Sequence, residues 1–381
     1  MNLTNKNLTV EYLNNIQEKT PFIIIDLRDV EEKYATLKAE LPEIDIFYAV
    51  KCNPEQQILE TLKKSGSNYE IASIGELHRL QSIDVKPAEI IYSNPVKPAD
   101  HIEEAHKAGV FRFAFDNAEE LEKLARYAPG ASVYLRISVS NHGSLINLAN
   151  KFGANREHAV PLLSLAKDLG LVPHGLAFHV GSQSESLELW DEAFDQSVEI
   201  LKALEEKGMR LDMLNIGGGF PIRYNDKVPS IQEIAKRIRS NVEGLPYGLQ
   251  LICEPGRYLV GEAGVIATTI IGKTTRHNIQ WAYADVGRFQ AFVEMFESNK
   301  LHYPIFTSID QLQTSVPKSL YTVTGPSCDS YDTIERNVDL PTNLQIGDRL
   351  YFASAGAYTT VYGAPFNDFE VPKPYFLVGD D

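Results

Sequence analysis

Cysteine is scarce. Among 381 residues there are only Cys52, Cys253 and Cys328, too few and too widely spaced for a disulfide framework or a clustered zinc site. That scarcity suits a reducing compartment, so a cytoplasmic location is expected. Long apolar runs are missing as well. The opening stretch MNLTNKNLTVEYLN lacks the apolar core of a signal peptide, and charges nowhere stay away long enough for a membrane span. Basic residues are outnumbered, 36 Lys and Arg against 51 Asp and Glu, for a formal net charge of −15. Sequence-independent binding to nucleic acid or an anionic membrane needs the opposite sign and is disfavoured, whereas a small cation suits such a field. No internal repeat or low-complexity linker occurs, the nine histidines are scattered, and HExxH is absent, so no metal site is expected.

What the chain does contain is alternation. From about Ile46 to Tyr258, short apolar runs alternate with amphipathic stretches, the pattern of parallel βα units. Strands are expected at Ile46–Val50, Tyr69–Ala72, Ile90–Ser93, Phe111–Phe115, Val133–Ser138, His174–Val180, Leu211–Ile216 and Leu249–Glu254. Eight such units close a (β/α)₈ barrel, with a doubly wound open sheet as the alternative. One helix is expected over Asp116–Ala128, where Asp116 and Glu119 have capping-box spacing and Leu121, Leu124 and Ala125 form an apolar stripe. After Tyr258 come short β-type stretches (VIATTIIG, LYTVTG, DRLYFASAGAY) separated by Gly, Pro, Asn and Asp. The expected organisation is an α/β barrel over residues 27–258 and a β-domain over 259–381, joined by residues 1–26 through the strand-like PFIIID.

Catalytic groups of such a barrel gather where its strands end. The residues there are Lys51, Glu70, Asn94, Arg136, His179, Ser182, Gly217 to Gly219, Glu254 and Arg257. Taken alone, Lys51 reads as a surface lysine at a barrel mouth or as an amine that forms a Schiff base. Gly217-Gly218-Gly219 matches neither the dinucleotide fingerprint nor the P-loop, but its backbone N–H groups could approach a phosphate with no side chain intervening. Glu254 and Arg257 could pair structurally or divide between two parts of one anionic, nitrogen-bearing ligand. Together, an amine, a glycine loop, an arginine, a carboxylate and a histidine suit pyridoxal 5′-phosphate. That cofactor needs an imine partner, a phosphate cradle and a carboxylate against its ring nitrogen. Further on, Cys328 stands beside Asp329 in a turn-rich setting, and Gly356-Ala357-Tyr358 precedes GAPFNDF. That stretch, with Phe366, could be strand packing or a substrate-side wall.

In order and spacing, YAVKCN, FHVGSQ, IGGGFP, EPGRY, GPSCDSYD and GAYT resemble the alanine-racemase-fold decarboxylases, specifically ornithine decarboxylases and their lysine- and arginine-cleaving relatives. The resemblance spans nearly the whole chain. It implies that Lys51 holds pyridoxal phosphate, that His179 stacks on its ring and that Glu254 binds the ring nitrogen. Gly217, Gly218, Gly219, Arg257, Ser182 and Tyr358 would surround the phosphate, with Glu70 and Arg136 supporting the cofactor from beneath. Glu70 departs from the aspartate of better-known eukaryotic members. Cys328 would act from the neighbouring subunit of a head-to-tail homodimer, protonating the carbon that loses carbon dioxide, while Asp329 holds the distal substrate amine. Lys151 and Asp332 would meet across that interface. The implied reaction is L-ornithine to putrescine and carbon dioxide, a step of polyamine biosynthesis. Lysine, arginine and diaminopimelate are alternatives, because DVGRFQAFVEMFE offers Glu294 and Glu297 where the ornithine enzymes have an aspartate. A racemase would not be expected to carry GPSCDSYD, the diaminopimelate enzymes carry a CESGD-type motif instead, and a non-catalytic regulatory relative would be expected to lack the cofactor lysine.

Overall fold

A computed structural model describes residues 5–140, 142, 144–146, 151–224, 227–298, 300–309 and 316–378. The chain divides into two compact units: Lys33–Pro221 with Val228–Gly256, and Met1–Glu32 with Ile222–Lys227 and Arg257–Asp381.

The first unit is a closed parallel barrel. Its strands are Ile44–Ala49, Asn68–Ile71, Ile90–Tyr92, Arg112–Phe115, Ser132–Arg136, Val172–Ala177, Met213–Asn215 and Gln250–Cys253, in that order around the ring. Closure is explicit in the register, with Leu251, Ile252 and Cys253 paired to Ile44, Asp45 and Ile46. These are the eight segments whose apolar runs stand out in the sequence, because barrel strands covered by helices are buried on both faces. Phe47, Ile91, Ala114, Tyr134, Ala177, Met213 and Ile252 pack into one buried interior cluster, so the barrel is filled and not a pore. Helices between the strands bury one face each; Gln56–Lys64 turns in Ile58, Leu59 and Leu62. Burial of each such side chain contributes about 1.5–3 kcal/mol.

One boundary differs from the sequence reading. The helix expected from Asp116 runs over Ala118–Tyr127, and Asn117 is its N-cap, accepting from the Glu120 N–H at 2.8 Å. Asp116 instead accepts from the Gly153 N–H at 2.9 Å. Both side chains can cap a helix, and the second acceptor duty takes Asp116 out of that role.

The second unit is built on an eight-stranded mixed sheet. Its first strand, Phe22–Asp26, lies antiparallel to Gly264–Arg276 and parallel to Lys373–Leu377, so the opening segment is inserted between two strands of the chain's last third. Leu8, Leu13, Phe22, Ile24, Val265 and Tyr351 form part of its buried core. The short excursion Ile222–Lys227, which belongs with this unit, carries no sequence mark that separates it from its barrel neighbours. Among the described residues, no helix is long and apolar enough to cross a membrane.

Candidate active site

Nine of the expected site residues, Lys51, Glu70, Arg136, His179, Ser182, Gly217 to Gly219 and Glu254, stand at or just after the carboxyl ends of barrel strands. Lys51 lies in a 3₁₀ turn, Val50–Cys52, that follows the first strand. Its ammonium forms a short ion pair with Glu70, whose side chain is 1% exposed on the second strand. Burial works against the charge on Lys51, but the carboxylates of Glu70 and then Glu254 outweigh it and raise its pKa. Glu70 is pushed up to about 7 by burial, with Lys51 opposing the rise. Loss of the lysine's charge would remove the opposing effect and favour the neutral Glu70 carboxyl further.

His179 follows the sixth strand, and burial, then Arg136 and Lys51, lowers its pKa to about 3. Its Nδ1 accepts from the Gly181 N–H at 3.0 Å. The proton of this neutral imidazole is therefore on Nε2. Such a ring can lie against an aromatic ligand without adding a cation. Arg136 ends the fifth strand with its guanidinium 5.6 Å from the centre of the Phe152 ring. Lys151 is exposed, its ammonium 5.0 Å from the same ring. Ser182 lies in the short strand Ser182–Ser184, which pairs with Ser144–Ile146.

Crowding explains the triple glycine. A Cβ on Gly217 would lie 2.1 Å from the Phe178 carbonyl oxygen, one on Gly218 2.6 Å from that of Glu254, and one on Gly219 2.4 Å from that of Gly181. Gly217 also holds φ +67°, where a side chain is strained. Gly217→Ala is thus expected to cost about 3 kcal/mol or more, read as a lowered urea midpoint at unchanged m-value. An unaltered midpoint would show that the turn relaxes. Bare backbone beside His179 and Glu254 is also what the phosphate end of a ligand needs.

Glu254, after the eighth strand, accepts on Oε1 from Asn215 Nδ2 at 2.7 Å and from the Ser93 hydroxyl in a shorter contact. Neither Ser93 nor Asn215 stands out in the sequence. An amine, a neutral imidazole, a carboxylate and a glycine cradle, all in one barrel unit, fit the aldehyde, ring, ring nitrogen and phosphate of pyridoxal phosphate.

The other expected residues belong to the β-sheet unit. Arg257 opens the short helix Arg257–Val260, and its Nη1 and Nη2 donate to Glu294 at 2.9 and 2.6 Å, with a further 2.6 Å bond from Nη1 to the Tyr224 hydroxyl. Its guanidinium also lies 4.9 Å from the Tyr358 ring centre, and Tyr358 holds φ +54°, uncommon for a bulky residue. Glu294, expected among the substrate-binding residues, is buried and its carboxylate pairs with Arg257. The sequence shows only an acid in a short turn. Glu297, at the end of that turn, is the exposed one. Glu294→Ala is expected to cost about 3–5 kcal/mol by stranding a buried guanidinium, a loss that thermal melting would register. A melting curve like that of the wild type would count against that pairing.

Cys328 is exposed, its sulfur 3.9 Å from the Asn367 side-chain oxygen. Asp329 accepts from the Tyr331 N–H at 2.8 Å as the cap of a 3₁₀ turn. Phe366, exposed, packs against Phe289 with ring centres 4.5 Å apart and the planes tilted by 39°. Asp332 has no exposed surface: its carboxylate accepts from the backbone N–H groups of Arg288 and Ser327 at 2.7 and 3.0 Å. A single chain therefore offers a partner's lysine no direct access to Asp332.

Residues 27–261 match the family described as "Pyridoxal-dependent decarboxylase, pyridoxal binding domain". The lysine/ornithine decarboxylase of Selenomonas ruminantium is 37% identical over 92% of this chain and 88% of its own length. The crystal structure of SrLDC in complex with PLP and cadaverine superposes with a TM-score of 0.89 at 34% identity, covering 99% of this chain and 95% of that one. The Paramecium bursaria Chlorella virus arginine decarboxylase bound to agmatine gives a TM-score of 0.91 at 29% identity, over 97% and 100%. With a superposable fold and a family match over more than half its length, the chain belongs to the pyridoxal-dependent decarboxylases.

Proposed function

We propose that this decarboxylase acts on a basic L-amino acid, with L-ornithine as the preferred substrate and putrescine and carbon dioxide as products. The Lys51–Glu70 pair beside Glu254 carries the reading, because it combines an amine able to hold the cofactor with a carboxylate for its ring nitrogen. When bound, pyridoxal phosphate supplies an electron sink for the electron pair of a breaking Cα–carboxylate bond.

The chain's own residues have separable tasks. Lys51 Nζ would hold the cofactor, with the Glu70 carboxyl beside it. His179 would cover the ring as a neutral imidazole, and Glu254 would bind the ring nitrogen. The N–H groups of Gly217 to Gly219 would hold the phosphate. Ser182, Arg257 and Tyr358 are assigned there by resemblance, and Arg257 brings Glu294 with it as a fixed partner. Arg136 supports the cofactor from beneath.

A basic substrate is supported by two carboxylates near the surface of the β-sheet unit, Asp329 and Glu297. In the proposed homodimer, Asp329 holds the distal amine and Cys328 Sγ gives a proton to the carbon that has lost carbon dioxide, both acting in the partner's site. Phe366 would wall the substrate. The contact proposed for Lys151 and Asp332 requires the partner's approach to open the region around Asp332.

A competition assay with ornithine, lysine, arginine and diaminopimelate, quantifying each amine product, tests the assignment. Putrescine is expected to dominate. Dominance of cadaverine or agmatine would move the preference within the basic class; equal turnover of all four would end the claim of selectivity. Absence of carbon dioxide release from any of them, with cofactor bound, would favour a non-catalytic regulatory role.

A further inference from the structure

The carboxylate of Glu254 is engaged on one side only. Oε1 takes both donors, Asn215 Nδ2 at 2.7 Å and the Ser93 hydroxyl, while among the described residues no donor reaches Oε2. The direction of these bonds follows from proton counting. A carboxylate has no proton to give, so the single proton of Ser93 goes to Glu254. The 2.7 Å contact between Ser93 Oγ and the Tyr134 hydroxyl is then donated by Tyr134. Burial, and next the charge of Glu254, keeps that phenol protonated well above its ordinary range.

Asn215 is oriented from its other end. Its Oδ1 accepts from the Gly217 N–H at 2.9 Å, which turns the amide NH₂ toward Glu254. The Glu254 N–H donates in turn to the Gly217 carbonyl at 2.7 Å. One amide thus ties the glycine turn to the carboxylate. Ser93, Tyr134, Asn215 and Glu254 come from the third, fifth, seventh and eighth strands or their ends, so the network exists only in the closed barrel.

We propose that Ser93 and Asn215, backed by Tyr134, are positioning residues that saturate Oε1 of Glu254 and leave Oε2 as the single face presented to the cofactor's ring nitrogen. Two donors from different strands stop rotation of the carboxylate about its last bond, and Tyr134 fixes the rotor of Ser93. Asn215 also sets the distance between Glu254 and the turn that meets the phosphate. This assignment rests on the cofactor reading above.

The test uses Ser93→Ala, Asn215→Ala and Tyr134→Phe in the full chain. Three measurements apply: pyridoxal phosphate affinity of the cofactor-free protein, the nitrogen-15 shift of ring-labelled cofactor once bound, and melting of the cofactor-free protein. Ser93→Ala and Asn215→Ala are each expected to weaken retention about tenfold, the scale on which supporting residues around a bound group act. Each should also move the ring-nitrogen signal toward its deprotonated position. Tyr134→Phe should move both in the same direction by less, and Ser93→Thr should restore them. An unmoved ring-nitrogen signal in both alanine variants overturns the proposal, even if affinity or melting falls, since packing alone would do that. Failure of the cofactor reading looks different: wild-type protein takes up no pyridoxal phosphate, or Glu254→Gln leaves the ring-nitrogen signal unchanged, and the proposal falls with it.

Discussion

Lys51→Ala is expected to abolish turnover, by at least about 10⁴-fold, together with the absorbance band near the visible edge that a lysine-bound cofactor gives. The reason lies in where Nζ stands. It lies in the turn that follows the first barrel strand and is held by Glu70 beside Glu254, so an amine supplied elsewhere would not have those neighbours. The variant should still fold. Glu70 sits at a pKa of about 7 with Lys51 lowering it, and removing the ammonium lets that carboxyl bind a proton and become neutral. Lys51→Ala combined with Glu70→Gln should therefore be no less stable than Lys51→Ala alone. Carbon dioxide release, the visible band and melting of both variants settle the matter. A band that persists in Lys51→Ala would sink the assignment of the cofactor lysine.

Glu254→Gln should show the second largest loss, roughly 10³-fold in kcat with little change in KM for the amino acid. The substitution retains shape, and the glutamine oxygen can still accept from Ser93 and Asn215. What disappears is the negative charge at the free oxygen. Steady-state kinetics of cofactor-saturated enzyme gives the answer, and a loss of tenfold or less would mean that the charge of Glu254 is not what the ring nitrogen requires.

The barrel was legible because each of its strands is a short apolar run buried on both sides, a pattern that survives without knowledge of any contact. Lys51, Glu70, His179 and Glu254 were legible because they interrupt those runs at their ends. Ser93 was not. Serine and tyrosine have no periodic mark, and the bond from Ser93 to Glu254 joins positions 161 residues apart, so its partner is defined only once the ring closes. Glu294 is a different case, because its partner was not legible. A carboxylate in a short turn resembles a ligand for a substrate amine, and nothing local tells that Arg257, 37 residues earlier, takes it. The displaced cap at Asn117 is a third case, in which two adjacent side chains were equally able and a distant N–H decided between them.

The strand Phe22–Asp26 pairs with Gly264–Arg276 and with Lys373–Leu377, and this has a consequence for synthesis. A ribosome adding roughly 5–20 residues each second must run for on the order of tens of seconds before the second of those neighbours exists. FIIID, buried at every position in the finished protein, has neither edge paired until Gly264–Arg276 has been made, and one edge stays open until Lys373–Leu377 follows. An apolar strand left open in this way is exposed to wrong partners, and a holding chaperone acting there would raise the yield of folded enzyme.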